Sequence, residues 1–114
     1  MFIMPNSDAF IPWDTVEPVE MVPGLFRRSM GYTNDMLIIE VRAEAGVKLP
    51  LHSHPHEQVG YVVSGEMSLT IDGKTRVCKP GDSYAIPGDV EHSAVFAVAS
   101  IIIDCFSPLR EEYL

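Results

Sequence analysis

Apolar and polar side chains alternate along short segments of the chain from residue 24 onward. In "MLIIEVRA", Leu37, Ile39 and Val41 share one parity, and the intervening positions include Glu40 and Arg42. A period of two residues is typical of a strand with one buried face. This segment therefore predicts a half-buried β-strand.

Turn residues separate the further strand segments. The stretch "VGYVVSGEMSLTIDGKTRVC" predicts two successive hairpins, with Asp72-Gly73 as a tight turn. "KPGD" marks a turn before "SYAIP", and "SAVFAVASIIIDCF" predicts two apolar strands with no turn residue between them. Only the C-terminal "PLREEYL" is compatible with a helical turn. Many short strands with almost no helical periodicity predict an all-β sandwich or barrel.

The first 23 residues have a different composition from the rest of the chain. They contain no Lys or Arg, and prolines at this density exclude a long helix and weaken a central strand. We expect residues 1–23 to form an extended arm and residues 24–114 to form one β-barrel domain. Phe10 and Trp13 would dock the arm on the body or on a partner subunit. The prolines of the arm are Pro5, Pro12, Pro18 and Pro23.

Length and charge narrow the classes of partner. A chain of 114 residues suffices for one modest core, and 16 acidic against 8 basic residues give a net charge of −8. This charge, without any basic run, argues against nucleic acid and anionic membranes as partners. The run "AVFAVASIII" is about half as long as a membrane-spanning helix, and the N-terminus lacks a signal-peptide pattern. We expect a cytoplasmic protein, with Cys78 and Cys105 as inert strand thiols.

Three of the four histidines stand in "LHSHPHEQ". His52 and His54 are two residues apart on a predicted strand, so both side chains should leave the same face, and Gln58 shares their parity. His92 lies far downstream and would have to be brought there by the fold. The pattern predicts a metal site, the alternative being a polar surface loop. His56 is a candidate fifth ligand or acid/base group, or else a solvent-facing or supporting histidine.

The C-terminal strand contains a further candidate group. In "IIIDCFSPLR", Asp104 and Phe106 share one face, and a carboxylate within an apolar strand is costly unless it has a function. Arg110 follows Pro108, where it could fold over a barrel mouth and bind a carboxylate through two hydrogen bonds. The alternatives are an Asp104 that caps a turn or pairs with an arginine, and an Arg110 exposed to solvent.

Two spaced motifs resemble those of the cupins. The first cupin motif, G(X)5HXH(X)3–4E(X)6G, is matched in spacing by Gly46, His52, His54, Gln58 and Gly65. Gln58 stands where the motif has a glutamate ligand. A glutamine offers a neutral carbonyl oxygen, so the full charge of a divalent ion would remain and make it a stronger Lewis acid.

The second cupin motif, G(X)5PXG(X)2H(X)3N, is matched by Gly81, Pro87 and His92. Asp89 replaces the usual glycine, and Phe96 replaces the usual asparagine. The resemblance implies an all-β, single-domain cupin with a double-stranded β-helix, or jelly-roll, barrel. Imidazole-rich ligand sets suit Ni, Mn, Zn or Fe, and ligand type alone does not choose among them.

One cupin subgroup shares more of the chain. The segments "GLFRRSMGYTNDMLIIEV" and "DCFSPLR", together with the glutamine ligand, resemble the unsaturated-uronate linearising cupins of pectin degradation. The resemblance implies one divalent transition metal ion, with Asp104, Phe106 and Arg110 completing the active site. The implied metal ligands are His52, His54, Gln58 and His92.

The resemblance also implies a reaction. The substrate would be a 4,5-unsaturated uronate from pectin or alginate breakdown, and the product its open-chain 4-deoxy-5-keto form. Asp104 would act as general acid/base, Arg110 would bind the carboxylate, and Phe106 would keep the pocket dry.

Other functions suit the same barrel. A cupin dioxygenase, a polyketide-cyclase-like enzyme and a non-catalytic sugar-acid-binding protein are the alternatives. Small single-domain cupins expose an edge strand and an apolar sheet face, so we expect a homodimer, with the arm exchanged across its interface.

Overall fold

The computed structural model describes residues 9–114, so the part of the predicted arm that includes Pro5 lies outside the described residues. The described chain is almost entirely strand and turn, which confirms the all-β prediction. Its two 3-10 turns span Trp13–Thr15 and Glu111–Tyr113. The strands are β1 (Val19–Val22), β2 (Leu25–Tyr32), β3 (Leu37–Ala43), β4 (Lys48–His52), β5 (Glu57–Ser64), β6 (Met67–Ile71), β7 (Lys74–Cys78), β8 (Ser83–Ile86), β9 (His92–Phe96) and β10 (Ser100–Ser107).

Two antiparallel sheets face each other. The six-stranded sheet has the order β1-β2-β3-β10-β5-β8, and the four-stranded sheet has the order β4-β9-β6-β7. The last strand, β10, lies between β3 and β5, so the C-terminal segment is central to the larger sheet. No helix within the described part of the chain is long or apolar enough to cross a membrane.

The core fills the space between the sheets. On β3, Leu37, Ile39 and Val41 are buried, as their alternation predicts. Ile102 on β10 and Val62 on β5 lie beside them on the same face of the six-stranded sheet and are also fully buried. Burial of each such side chain contributes about 1.5–3 kcal/mol, so this layer stabilises the fold.

Of the two successive hairpins predicted, the one between β6 and β7 is present, whereas β5 pairs with β8 and β10 and not with β6, so the first predicted hairpin is wrong. Asp72 and Gly73 both have positive φ, at 49° and 78°, as a two-residue hairpin turn requires. The link between β9 and β10 lacks such residues. There, the buried Ser100 accepts a hydrogen bond from the Glu66 amide and donates one to the Val98 carbonyl, at 3.1 and 2.8 Å. Hydrogen bonds of the Ser100 hydroxyl thus hold this link, in which the sequence has no typical turn residue.

Trp13 lies on the body of its own chain. Its indole nitrogen donates to Glu40 Oε1 at 2.8 Å, and the Arg28 guanidinium stacks 3.8 Å from its ring centroid. Part of the predicted arm also forms β1, which pairs with β2 at the edge of the six-stranded sheet. The sheet thus extends into the Pro-rich segment.

Candidate metal centre

A cavity opens between the two sheets at one end of the barrel. Its empty volume is about 540 Å³, part of which is open to solvent. Its lining combines apolar core side chains with polar and charged groups. The polar and charged residues of the lining include His52, Gln58, Tyr84, His92, Asp104 and Arg110.

Three imidazoles meet at this cavity. His52 ends β4 and pairs with His92, the first residue of β9, and their ring centroids lie 4.1 Å apart. His54 lies beyond the end of β4, so its predicted position on a strand is wrong. The Asp89 amide donates to the His54 carbonyl at 2.7 Å and holds this loop in place. One ligand atom from each imidazole lies within 4.8 Å of the others.

Backbone carbonyls determine which ring nitrogen carries the proton. The Nδ1 atoms of His52, His54 and His92 lie 2.8, 3.0 and 2.9 Å from the carbonyls of residues 50, 56 and 90. A carbonyl oxygen only accepts, so each Nδ1 donates, and in a neutral ring the lone pair is then on Nε2. Metal-binding histidines in proteins are commonly oriented in this way. The Nε2 atom of His92 is buried without a hydrogen-bond partner.

Gln58 completes the group of acceptors. Its side chain is hydrogen-bonded to the Asp104 carboxylate, so its amide nitrogen donates there and its oxygen faces away. That oxygen, Oε1, lies 3.1 Å from Nε2 of His54. When Nδ1 of a neutral His54 donates to the carbonyl of residue 56, neither of these two atoms carries a proton, and both can be ligands of one cation. The residues therefore fit a divalent metal ion with imidazole and amide ligands.

Burial keeps the imidazoles of His54 and His92 neutral. Burial, reinforced by the positive charge of Arg110, lowers the pKa of His54 to about 4. Burial also lowers the pKa of His92. Neutral imidazole is the form that binds a metal, so both rings are available as ligands near pH 7.

Asp104 is buried beside Gln58. Burial raises the pKa of its carboxyl to about 6, although hydrogen bonds from Tyr84 and Gln58 and the charge of Arg110 oppose this rise. Its Oδ1 accepts a hydrogen bond from the Tyr84 hydroxyl at 2.5 Å. Burial and the nearby Asp104 carboxylate raise the pKa of Tyr84, which stays protonated and donates. The hydrogen bonds of Asp104 come from Tyr84 and Gln58, so Asp104 neither caps a turn nor forms a hydrogen-bonded pair with an arginine.

Arg110 is one of the residues that line the cavity. Its Nε donates to Glu112 Oε1 at 2.8 Å, and its side chain is only 12% exposed, so the solvent-exposed alternative is wrong. The guanidinium lies 4.9 Å from the centroid of Phe106 and 4.0 Å from that of Tyr113. Phe106 is buried and meets the ring of His54 edge-on at 5.6 Å. The tail thus brings a cation and an aromatic wall to the imidazoles.

His56 lies next to the group but outside it. Its ring centroid is 5.7 Å from that of His54, and its carbonyl receives the Nδ1 proton of His54. The three-histidine group does not include it. His56 therefore contributes its backbone, in agreement with a supporting role.

Sequence reasoning missed two residues of the site, Tyr84 and Gly60. Gly60 lies in the middle of β5 with the same parity as the buried Gln58 and Val62. A glycine inside a strand often marks a close approach of other groups, and this was the available signal. Tyr84 carried no comparable signal, because an aromatic residue on a short strand is ordinary.

The chain is similar in sequence to a known protein family and to a known protein. The family model described as "Cupin domain" matches residues 39–98. The pectin degradation protein KdgF of Dickeya dadantii (strain 3937) is 30% identical over 105 residues, which cover 90% of this chain and 91% of the relative.

Solved structures extend the comparison. An RmlC-like cupin from Shewanella frigidimarina NCIMB 400 is 34% identical, with a TM-score of 0.90 over 97% of this chain and 100% of that one. KdgF from Halomonas sp. is 31% identical, with a TM-score of 0.88 over 95% and 100% of the two chains. Salicylate 1,2-dioxygenase from Pseudoaminobacter salicylatoxidans is 19% identical, with a TM-score of 0.72 over 81% of this chain and 27% of that one, a likeness of fold alone.

Proposed function

The chain belongs to the cupin family, and we propose that it is a metal-dependent enzyme that converts 4,5-unsaturated uronates to open-chain 4-deoxy-5-keto uronates. The observation that carries this proposal is the position of Asp104, a buried carboxyl with a raised pKa, hydrogen-bonded to Gln58 beside three imidazoles. The likeness to pectin degradation proteins supports the choice of substrate class.

One divalent transition metal ion, Ni, Mn, Zn or Fe, would be held by the histidine and glutamine side chains. When bound, the ion supplies Lewis acidity toward the oxygens of the substrate. Neutral ligands leave its charge undiminished, which favours an anionic sugar acid. The proposed ligands are His52, His54, Gln58 and His92.

The reaction is an isomerisation, so its protons balance within the substrate. A proton is gained at C4, the bond between C1 and the ring oxygen breaks, and the C1 hydroxyl loses a proton. The products of these changes are a C5 ketone and a C1 aldehyde. Asp104 would deliver the proton to C4 and regain one from the C1 hydroxyl. A pKa of about 6 lets the group hold and release a proton near neutral pH.

Arg110 and Phe106 would bind and enclose the substrate. Glu112 and two aromatic rings hold the guanidinium of Arg110, which would donate hydrogen bonds to the substrate carboxylate. It also supplies local positive charge to a protein of net charge −8, which repels an anionic sugar at long range. Phe106 forms an apolar wall that excludes water from Asp104.

The direct test follows the ultraviolet absorbance of the conjugated double bond in a lyase-generated unsaturated uronate. Ni²⁺- or Mn²⁺-loaded protein should remove this absorbance faster than EDTA-treated protein and faster than the spontaneous reaction. Asp104→Asn should abolish the acceleration even at a metal concentration high enough to keep the site of this variant filled. Metal-loaded protein without any acceleration would contradict the proposed reaction.

Other measurements on the metal-loaded protein separate the alternatives. Oxygen consumption that follows iron content would indicate a cupin dioxygenase, and turnover of an aromatic substrate would indicate a polyketide-cyclase-like enzyme. Binding of sugar acids without turnover would indicate a binding protein. A buried carboxyl with a shifted pKa inside the cavity favours catalysis over binding alone.

We also propose that two copies pair through the outward face of the six-stranded sheet. This face carries neighbouring exposed apolar side chains, including Val59 and Tyr61 at 54% and 49% exposure. Ala85, Ile103 and Cys105 continue the surface across β8 and β10. Large contiguous apolar surfaces of this kind are typical of interfaces between proteins.

A cytoplasmic location is part of the same proposal. Cys78 and Cys105 are both free thiols, which suits a reducing compartment. The strongly negative charge also favours a small-molecule substrate over nucleic acid.

A further inference from the structure

Three residues of neighbouring strands form one row across the six-stranded sheet. Asp104 of β10 is paired with Gly60 of β5, and Gly60 is paired with Tyr84 of β8. Alternating burial on these strands shows that this row faces the cavity. Tyr84 and Asp104 are therefore two strands apart, with only a glycine between them.

The missing side chain of Gly60 is what lets the outer two residues meet. A Cβ atom at this position would overlap the Tyr84 ring and hydroxyl and Oδ1 of Asp104. The Tyr84 side chain crosses β5 through this gap and donates to Asp104 at 2.5 Å. Any larger residue at position 60 would displace one partner or the other.

This contact determines where the Asp104 carboxylate points. The terminal torsion of an aspartate has broad preferences, so hydrogen bonds rather than rotamer energy hold its plane. Two donors fix it here, the Tyr84 hydroxyl and the side-chain amide of Gln58. The carboxylate in turn holds the Gln58 amide, whose oxygen then faces His54 at 3.1 Å.

We propose that Tyr84 is a positioning residue of the metal centre: through Asp104 it holds the Gln58 amide so that the amide oxygen faces the three imidazoles. This inference rests on the ligand role of Gln58 in the proposed function. It extends the site by two residues, Tyr84 as donor and Gly60 as the space that admits it. Outer partners of metal ligands commonly affect metal affinity about 10- to 100-fold.

The test is a double-mutant cycle on Ni²⁺ affinity, measured by calorimetry without substrate. Tyr84→Phe removes one hydroxyl, keeps the ring, and should weaken Ni²⁺ binding about tenfold. In an Asp104→Ala background the same change should alter the affinity by less than about twofold, because its route to Gln58 is gone. Tyr61→Phe, on the outward face of β5, is the matched control and should leave the affinity unchanged.

Two results would overturn the inference. Tyr84→Phe with wild-type affinity would show that the hydroxyl does not position the site. Equal weakening in both backgrounds would show an effect through the fold, not through Asp104. Gly60→Ala provides a second variant with an intact tyrosine, and it should also weaken Ni²⁺ binding; unchanged affinity there would contradict the proposed use of the gap.

Metal affinity separates this inference from the proposed reaction. Suppose that the wild-type protein binds Ni²⁺ and that Tyr84→Phe weakens this binding as expected, but that unsaturated uronates are left unchanged. This result would refute the reaction and support the positioning role. If the wild-type protein turns over the substrate and Tyr84→Phe leaves the Ni²⁺ affinity unaffected, the proposed reaction is supported and the positioning role is refuted. Melting temperatures of all variants identify any that have lost the fold.

Discussion

His52 and His92 face each other across the antiparallel strands β4 and β9, with ring centroids 4.1 Å apart. His52 is the last residue of β4 and His92 is the first residue of β9. An ion bound between the two rings would therefore link two distant parts of the chain. Since the unfolded chain does not hold these groups together, metal binding should add to the free energy of unfolding.

Metal loading should therefore raise the melting temperature. At a free Ni²⁺ concentration of about 100 times the dissociation constant, the expected gain is about 2.7 kcal/mol. His92→Ala should remove this response, because it deletes a proposed ligand whose Nε2 atom is buried without a hydrogen-bond partner. His56→Ala is the control and should keep the response. Thermal unfolding with and without Ni²⁺ measures both, and a full response in His92→Ala would refute the assigned ligand.

Arg110→Lys should weaken substrate binding. A lysine keeps the charge but loses the planar pair of donors that matches a carboxylate, so we expect KM for the unsaturated uronate to rise about tenfold. Steady-state kinetics measure this change. Arg76→Lys on the exposed face of β7 is the matched control. An unchanged KM in Arg110→Lys would mean that the carboxylate is bound elsewhere.

Glu40 should make stability depend on pH. Burial alone would raise its pKa, but hydrogen bonds from Arg42 and Trp13 and the charges of Arg42 and Arg28 outweigh burial and lower the pKa below its ordinary value of 4.5. A lowered pKa in the folded state means that the stabilisation is present above the unfolded-state value and is lost as pH falls through the folded-state value.

Glu40→Gln should accordingly cost about 1 kcal/mol at pH 7 and almost nothing once the wild-type carboxyl is protonated. Urea unfolding followed by the fluorescence of Trp13, the single tryptophan of the chain, measures the difference at each pH. Glu57→Gln removes the same charge from an exposed strand position and serves as the control. A cost that is equal at both pH values would contradict the role of the charge.

The proposed pairing of two copies makes its own prediction. Wild-type protein should have a mass in solution of twice the chain mass of 12.6 kDa. Val59→Glu should produce monomers, because it places a charge within the apolar face. Val77→Glu, equally exposed on the four-stranded sheet, should leave the mass unchanged. Light scattering distinguishes these results, and a monomeric wild type would refute the pairing.

Much of the barrel could be predicted from short-range pattern. Alternation predicted the buried face of β3, and the Asp72-Gly73 pair predicted the hairpin of β6 and β7. Both features depend only on residues adjacent in the chain. The spacing of His52 and His54 also predicted a cluster of histidines, and the structure brings these two together with His92. The detailed geometry of this cluster was less predictable. His54 lies in a loop, where the Asp89 amide holds its carbonyl at 2.7 Å, a contact between residues far apart in sequence.

The row formed by Asp104, Gly60 and Tyr84 shows where this kind of prediction ends. Strand parity places each residue on an inward face, and the sequence alone is enough for that. Which strands lie side by side is a separate matter, since β10 is inserted between β3 and β5 and β8 pairs with β5 on its other edge. That order depends on how the two sheets bury their apolar faces together. The contact between Tyr84 and Asp104 exists only once that burial has brought β8, β5 and β10 into register.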